Sequence, residues 1–297
     1  MRELLRDRDN ETRITTACLL AAGTGSRLQP LTHSIPKCLT EINGRPILER
    51  LISCLREQGF KRLVVVVGHL EQCIRKFLDD CAGDLVIEYV RNPIYRTTNN
   101  IYSLWLAGSE IQESFLLIES DLIFEASLLE KLLIPDRIAV SRILPWMNGT
   151  TIAMDASGDV AFFHKTPTTP ALPKVQTGSV RDTAYKTVNI CSLSRASWRR
   201  ILPRLEQAIS DGRVNEYYEV VFAEMVNDGS LSLECALFDP DQWYEVDTLD
   251  DLPGAERIGT RIGTRIGKRN GTRNGTRIIR PARTVLPASL GSANTGS

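Results

Sequence analysis

Residues 19–37, LLAAGTGSRLQPLTHSIPK, constrain the fold of this chain more than any other stretch. An apolar run, read as a buried strand, passes directly into a turn that holds Gly23 and Gly25 and leads on to Arg27 and Lys37. Backbone N–H groups from Gly23, Thr24, Gly25 and Ser26 can then wrap an anion without side-chain obstruction, while the two cations bring charge of matching sign. The combination implies a polyphosphate site at the carboxyl end of a strand. Two common alternatives fail. A dinucleotide loop, G-x-G-x-x-G opening a helix, needs a third glycine where Leu28 stands, and Pro30 and Pro36 leave no room for a first helix. The P-loop pattern G-x-x-x-x-G-K-[ST] is absent.

Apolar runs at 16–22, 63–67, 85–90 and 115–118 alternate with helical patterns, the rhythm of a mostly parallel α/β sheet whose strands are buried on both faces. Pro46 opens a helix that places Ile47, Leu48, Leu51, Ile52 and Leu55 on one stripe before Gly59 ends it. Further helices are expected at 70–80 and 100–109. After Asp121 the strand signals shorten, at 138–143, 151–154, 160–163 and 187–193. They flank a Pro/Thr-rich stretch whose composition reads as a loop or lid over 164–182. Helices at 195–210 and 216–227 and a strand at 231–238 lead into WYEVDT at 243–248. Residues 15–255 thus read as one domain, after an extension at 1–14 and before a separate tail at 256–297.

The formal net charge of zero hides an asymmetry. The tail holds nine Lys or Arg and one acid, which leaves 27 basic against 35 acidic groups in the first 255 residues. Five of its glycines, 259, 263, 267, 271 and 275, recur every four residues, a pattern expected to be disordered rather than to pack. A neutral extension is expected, not nucleic-acid contact through its arginines. No apolar run approaches the roughly 18–20 residues of a membrane span, and residues 1–13 lack the apolar core of a secretory signal, so a soluble cytoplasmic chain is expected. Seven cysteines without C-x-x-C spacing read as small apolar residues in a reducing compartment, and three scattered histidines suggest no zinc set.

The run A-A-G-x-G-S-R-L at 21–28, the pair Pro36-Lys37 and the turn Asn43-Gly44-Arg45-Pro46 resemble the signature of the sugar-phosphate nucleotidyltransferases. YRTTNNIYSLWLA at 95–107 and WYEVDT at 243–248 resemble the phosphocholine and phosphonate cytidylyltransferase branch of that superfamily. The resemblance implies a GT-A-like, Rossmann-type sandwich with a small acceptor-binding subregion. It also implies transfer of CMP from CTP to 2-aminoethylphosphonate, 2-hydroxyethylphosphonate or phosphocholine with release of pyrophosphate. A homodimer is left open. Two other readings stand beside it: a pyrophosphorylase making NDP-sugars from sugar 1-phosphates, and a nucleotide-binding regulatory module without turnover.

Nucleotidyl transfer is a displacement at phosphorus, so charge neutralisation and positioning dominate. Arg27 suits the β- and γ-phosphates through its planar fork, and Lys37 the α-phosphate or the incoming anion. Both could instead be surface cations beside an ordinary loop. Asp121 follows the apolar FLLIES at the expected end of a central strand, and strand alternation puts Glu245 and Asp247 on one side, two acids that call for a cation between them. By resemblance these three hold Mg²⁺. Otherwise Asp121 would cap a helix over EASLLEKLL, and the late pair would be solvated acids before a helix at Leu249. The base and ribose are expected against Leu20, Ala21, Ala22 and Gly23 and against Asn99, Asn100 and Ser103, with Asn100 equally able to cap a helix. On the acceptor side, Trp146, Tyr217, Tyr218 and Glu219 are the groups available for an ammonium. Lys186 departs from the phosphocholine pattern and would favour a phosphonate or phosphate head.

Overall fold

A computed structural model of the chain describes residues 13–145, 147–164 and 184–270. Trp146, almost all of the loop read at 164–182, the first twelve residues and the tail from 271 lie outside the described residues.

Strand β1 (Thr16–Ala21) is buried at all six positions, which an apolar run tolerates when both faces of its sheet are covered. The hairpin β2 (Glu41–Ile42) and β3 (Arg45–Pro46) follows. Then come α1 (Ile47–Glu57), β4 (Arg62–Val67), α2 (Glu71–Cys81), β5 (Val86–Arg91), α3 (Asn100–Ala107), β6 (Phe115–Glu119) and β7 (Leu122–Phe124). The second half comprises β8 (Arg137–Arg142), β9 (Thr151–Met154), β10 (Val160–His164), β11 (Ala184–Leu193), α4 (Arg195–Ser210), α5 (Tyr218–Asn227), β12 (Glu234–Phe238), β13 (Trp243–Glu245) and α6 (Leu252–Asn270).

The main sheet is mixed. Strands β6, β1, β4 and β5 are parallel neighbours in that order. Beyond β6 the sheet turns antiparallel through β11, which also pairs with β8 and β9, and β12 adds to β8 in parallel. Alternation along β1 splits its side chains between two cores. Ala17, Leu19 and Ala21 pack with Leu48, Leu51, Ile74 and Leu78 from α1 and α2. Cys18 and Leu20 pack with Ile101, Leu104, Trp198, Ile201 and Phe222 from α3, α4 and α5. Helix starts follow their residues: Asn99 accepts a bond from the Asn100 N–H at 2.8 Å, and Ser194 accepts one from the Ser197 N–H at 3.0 Å.

A third, smaller core matters most for the site. Leu28, Ile42, Ile47, Ile123, Tyr244, Val246 and Ala255 bring the loop after β1, the β2–β3 hairpin, β7, β13 and α6 into one cluster.

One alternative reading and one expectation are overturned. EASLLEKLL is not a helix capped by Asp121: β7 intervenes, and the segment forms a 3₁₀ stretch, Ala126–Leu132, entered from Glu125. Nor is the tail structureless from 256, because α6 runs to Asn270. A four-residue repeat keeps Ile258 and Ile262 one helical turn apart, so they share a face with Ala255 and bury it. Gly259 serves that packing, since a Cβ there would lie 2.7 Å from Asn43 Oδ1. Among the described residues no helix is long and apolar enough to cross a membrane.

Trp198 is 2% exposed, meets Phe115 edge to face at 5.1 Å and donates its indole N–H to Ile111 O at 3.1 Å. Trp198→Ala should therefore cost about 3–5 kcal/mol, read as a lowered urea midpoint at unchanged slope.

Candidate active site

From β1 the chain moves outward to β4 and β5, then returns to the other side of β1 as β6, so the connections after Ala21 and Glu119 diverge over one crevice. Open α/β sheets place ligands at such a switch point. Leu20 and Glu119 face each other in the register, which fixes the crevice walls.

The loop leaving β1 is held in three short 3₁₀ turns, Ser26–Leu28, Leu31–His33 and Lys37–Leu39. Gly25 has a φ of +61°, and a Cβ there would lie 3.0 Å from Thr32 Cγ2 and 3.1 Å from Lys37 Cβ. Glycine therefore lets the loop fold back until Thr32 donates to Gly25 O at 2.8 Å and Lys37 arrives beside the turn. Leu28, fully buried, anchors the turn between its two cations. Of the ten residues expected around the nucleotide, all but Thr24 line one cleft, together with Arg27, Lys37, Asp121, Asp247 and Tyr217.

The acids come from two distant segments. β7 and β13 pair antiparallel, Leu122 opposite Glu245, and the Val246 N–H donates to Asp121 O at 2.9 Å. That ladder gathers Asp121, Glu245 and Asp247, each offering one oxygen within 4.8 Å of the others. Lys37 Nζ donates to Asp121 Oδ2 at 2.7 Å and to Asp247 Oδ1 at 2.6 Å, and Arg27 reaches the same Asp247 oxygen at 3.0 Å. Side-chain exposures of 14% for Lys37, 10% for Asp121 and 12% for Asp247 set these three apart from surface charges, whereas Arg27 is 61% exposed. Burial alone would lower the Lys37 ammonium, but the two aspartates outweigh it and raise it above its ordinary value. Burial likewise pushes Asp247 up, and Lys37 and Arg27 outweigh it and hold the carboxyl below the usual range. Asp121 Oδ1 is buried without a partner among the described residues. A hard, oxygen-seeking divalent cation fits this donor set.

Lys186, 2% exposed, pairs with Glu245 Oε2 at 3.1 Å and donates to Thr187 O at 2.7 Å. It lines a second, smaller cavity with Glu245 and Asp247, next to the first. Burial lifts Glu245 above its ordinary value against the pull of Lys186, and the charges of Asp121 and Asp247 add to the rise. Tyr217 is half exposed and lines the first cleft, whereas Tyr218 and Glu219 are buried. Asn100 is the first residue of α3 and not its cap. Its amide donates to Glu119 Oε1 at 2.9 Å and its oxygen accepts from the Tyr218 N–H at 2.9 Å, which ties the cleft to the start of α5.

Three contributors escape a reading of the sequence. Glu119 ends β6, and burial together with the charges of Asp121, Glu219 and Glu245 raises its carboxyl well above the ordinary value. Asn189, left-handed at φ +57°, sits at an irregularity of β11 and donates to Glu245 Oε1 at 3.0 Å. An asparagine inside an apolar strand was the available signal for such a bulge. Asp251 accepts from the N–H groups of Asp247 at 2.9 Å and Thr248 at 2.7 Å, which orients the late acid.

Residues 17–141 match the family model described as the MobA-like NTP transferase domain. That match takes in 125 of the chain's 297 residues. Among curated proteins it is 34% identical over 246 residues to the CMP-5'-(3-aminopropyl)phosphonate synthase of Streptomyces rubellomurinus, covering 81% of this chain and 37% of that protein. It is 34% identical over 109 residues to the choline-phosphate cytidylyltransferase of Streptococcus pneumoniae, covering 37% of this chain and 46% of the other. For the 2-aminoethylphosphonate cytidylyltransferase of Lancefieldella rimae the identity is 36% over 110 residues, 37% of this chain and 44% of the other. The chain thus spans less than half the length of these relatives. In fold, the chain is similar to the solved CTP:phosphocholine cytidylyltransferase of Streptococcus pneumoniae, with a TM-score of 0.67 at 20% identity over 83% of this chain and 99% of that one. The resemblance to the nucleotidyltransferases, to their cytidylyltransferase branch and to a GT-A-like sandwich is borne out.

Burial lifts the Glu219 carboxyl to about 7 against the pull of Lys186. The folded chain then holds this proton more tightly than the unfolded chain, where a glutamate titrates near about 4.3. The resulting stability is complete below the unfolded value and is lost as pH rises through about 7. Glu219→Gln removes that titration, so between about pH 5 and pH 8 the variant should gain on the wild type by an amount on the order of 1–3 kcal/mol. Urea unfolding at both pH values in the presence of a chelator measures it, and a constant difference would contradict the assignment.

Proposed function

We propose that this chain is a Mg²⁺-dependent cytidylyltransferase that moves CMP from CTP to a small phosphonate or phosphate and releases pyrophosphate. The observation that carries the reading is the contact of Lys37 Nζ with both Asp121 and Asp247, which joins the anion loop to acids from two distant segments in one cleft. An acceptor oxygen attacks the α-phosphorus, the bond from that phosphorus to the oxygen bridging it to the β-phosphate breaks, and the pyrophosphate leaves with the electron pair. A phosphate monoester has its second pKa near about 6, so its attacking oxygen is already ionised at neutral pH and no general base is required.

Arg27 and the N–H groups of the Gly23–Ser26 turn would take the outer phosphates, and Lys37 would neutralise charge at the α-phosphate as the anions meet. Asp121, Glu245 and Asp247 would hold the magnesium, which supplies Lewis-acid polarisation of the phosphate oxygens. Leu20, Ala21, Ala22, Asn99 and Ser103 would form the nucleoside wall. Lys186 would face the acid head of the acceptor. Glu219, with Oε2 buried and unpaired among the described residues, would meet an amine at its other end. An aminoalkylphosphonate offers both groups, and the names of two of the relatives contain one.

Pyrophosphate release should require CTP, an aminoalkylphosphonate and Mg²⁺ together, and a chelator should abolish it. Lys37→Ala and Asp121→Ala should each lower turnover by about two orders of magnitude. Preference for UTP or dTTP with a sugar 1-phosphate would instead favour an NDP-sugar pyrophosphorylase, and near-normal rates in either variant would remove the site assignment.

A further inference from the structure

The carboxylate cluster is compensated from within the chain. Asp121 and Asp247 share the Lys37 ammonium at 2.7 and 2.6 Å, Asp247 also meets Arg27 at 3.0 Å, and Glu245 meets Lys186 at 3.1 Å. Three acids thus face three cations. An ammonium has three donors, and Lys37 uses two of them on Asp121 Oδ2 and Asp247 Oδ1, from two of the three acids that would hold a metal. A divalent cation entering alone must displace that ammonium from both aspartates and leave it, with the added charge, in a nearly dry site, where like charges repel strongly.

We infer that Lys37 is a resident counter-ion which closes the metal seat to a free divalent cation and opens it only when nucleotide phosphates draw its ammonium away. The inference rests on the phosphate-binding reading of the cleft given above and adds an order to it: the metal enters with the nucleotide. Lysine suits the task because it is a point charge on a flexible stem that exchanges a carboxylate for a phosphate oxygen without a planar geometry to satisfy. Arg27, 61% exposed, can follow the same phosphates. A triphosphate brings the negative charge that leaves both the ammonium and the divalent cation compensated. Asp121 Oδ1, which has no hydrogen-bond partner among the described residues, is the oxygen through which the seat can begin to bind metal while the exchange proceeds.

The coupling is read without turnover by titrating Mn²⁺ into the nucleotide-free protein and following the free-ion electron paramagnetic resonance signal. Lys37→Met keeps the length of the stem and removes the charge, so it should bind Mn²⁺ alone about tenfold or more tightly than the wild type. Lys37→Gln, whose amide can still bridge the two aspartates, gives the same comparison should Lys37→Met not fold by circular dichroism. Equal Mn²⁺ affinity in wild type and variant would overturn the counter-ion role while leaving the metal seat in place. No Mn²⁺ binding by any of the three proteins, with or without CTP, would overturn the seat itself and with it the metal-dependent reading.

Discussion

The site depends on one short piece of backbone pairing, the antiparallel contact of β7 with β13 continued by the Val246 N–H donating to Asp121 O. Through it, an acid at the end of a central strand and two acids near the end of the domain come to share a few ångströms. Hydrophobic contacts protect that pairing: Ile123 from β7, Tyr244 and Val246 from the late segment, and Leu28 from the anion loop lie in one buried cluster. The same cluster that aligns the carboxylates therefore also sets the height at which Arg27 and Lys37 meet them.

Such an arrangement is electrostatically costly unless each charge has a partner. Carboxylates packed this closely in a half-dry cleft repel one another, and the protein answers with cations drawn from separate elements: Arg27 and Lys37 from the loop after β1, Lys186 from β11. Behind them, Glu119 and Glu219 are held toward their neutral forms, and Asn100 bridges Glu119 to the backbone of α5. The result is a polar surface in which these acids are each paired with a cation or held toward the neutral form.

Rigidity around the cleft is uneven in a way that suits this use. The parallel strands under the site are buried on both faces and carry the loops at their carboxyl ends. The loop itself is tied by Leu28, by the Thr32 bond to Gly25 O and by a backbone bond from the His69 N–H to Ala22 O at 3.0 Å. Arg27 remains largely exposed, free to follow an incoming ligand.

Much of this was legible in the residues. The apolar run before Gly23, the alternation of strand and helix signals and the stripe of α1 determined an α/β sheet with a glycine-bearing loop after the first strand, because those are local patterns of period and turn chemistry. The motif acids and cations were identifiable by type. What the sequence could not express was pairing across distance. That Asp121 precedes a strand and not a helix follows from the partner β13 supplies more than a hundred residues later. That Asn189 is turned out of its strand toward Glu245 follows from an irregular register in β11, and that Asn100 reaches Glu119 and Tyr218 follows from the packing of α3 against α5. The four-residue repeat beyond residue 255 likewise suggested chain without structure until the β2–β3 hairpin and Tyr244 gave its first isoleucine and alanine a surface to bury. Local propensity thus determined the frame by itself, and tertiary structure alone decided which charges would meet, since a charge's partner is chosen by the sheet register and the packing that bring it there.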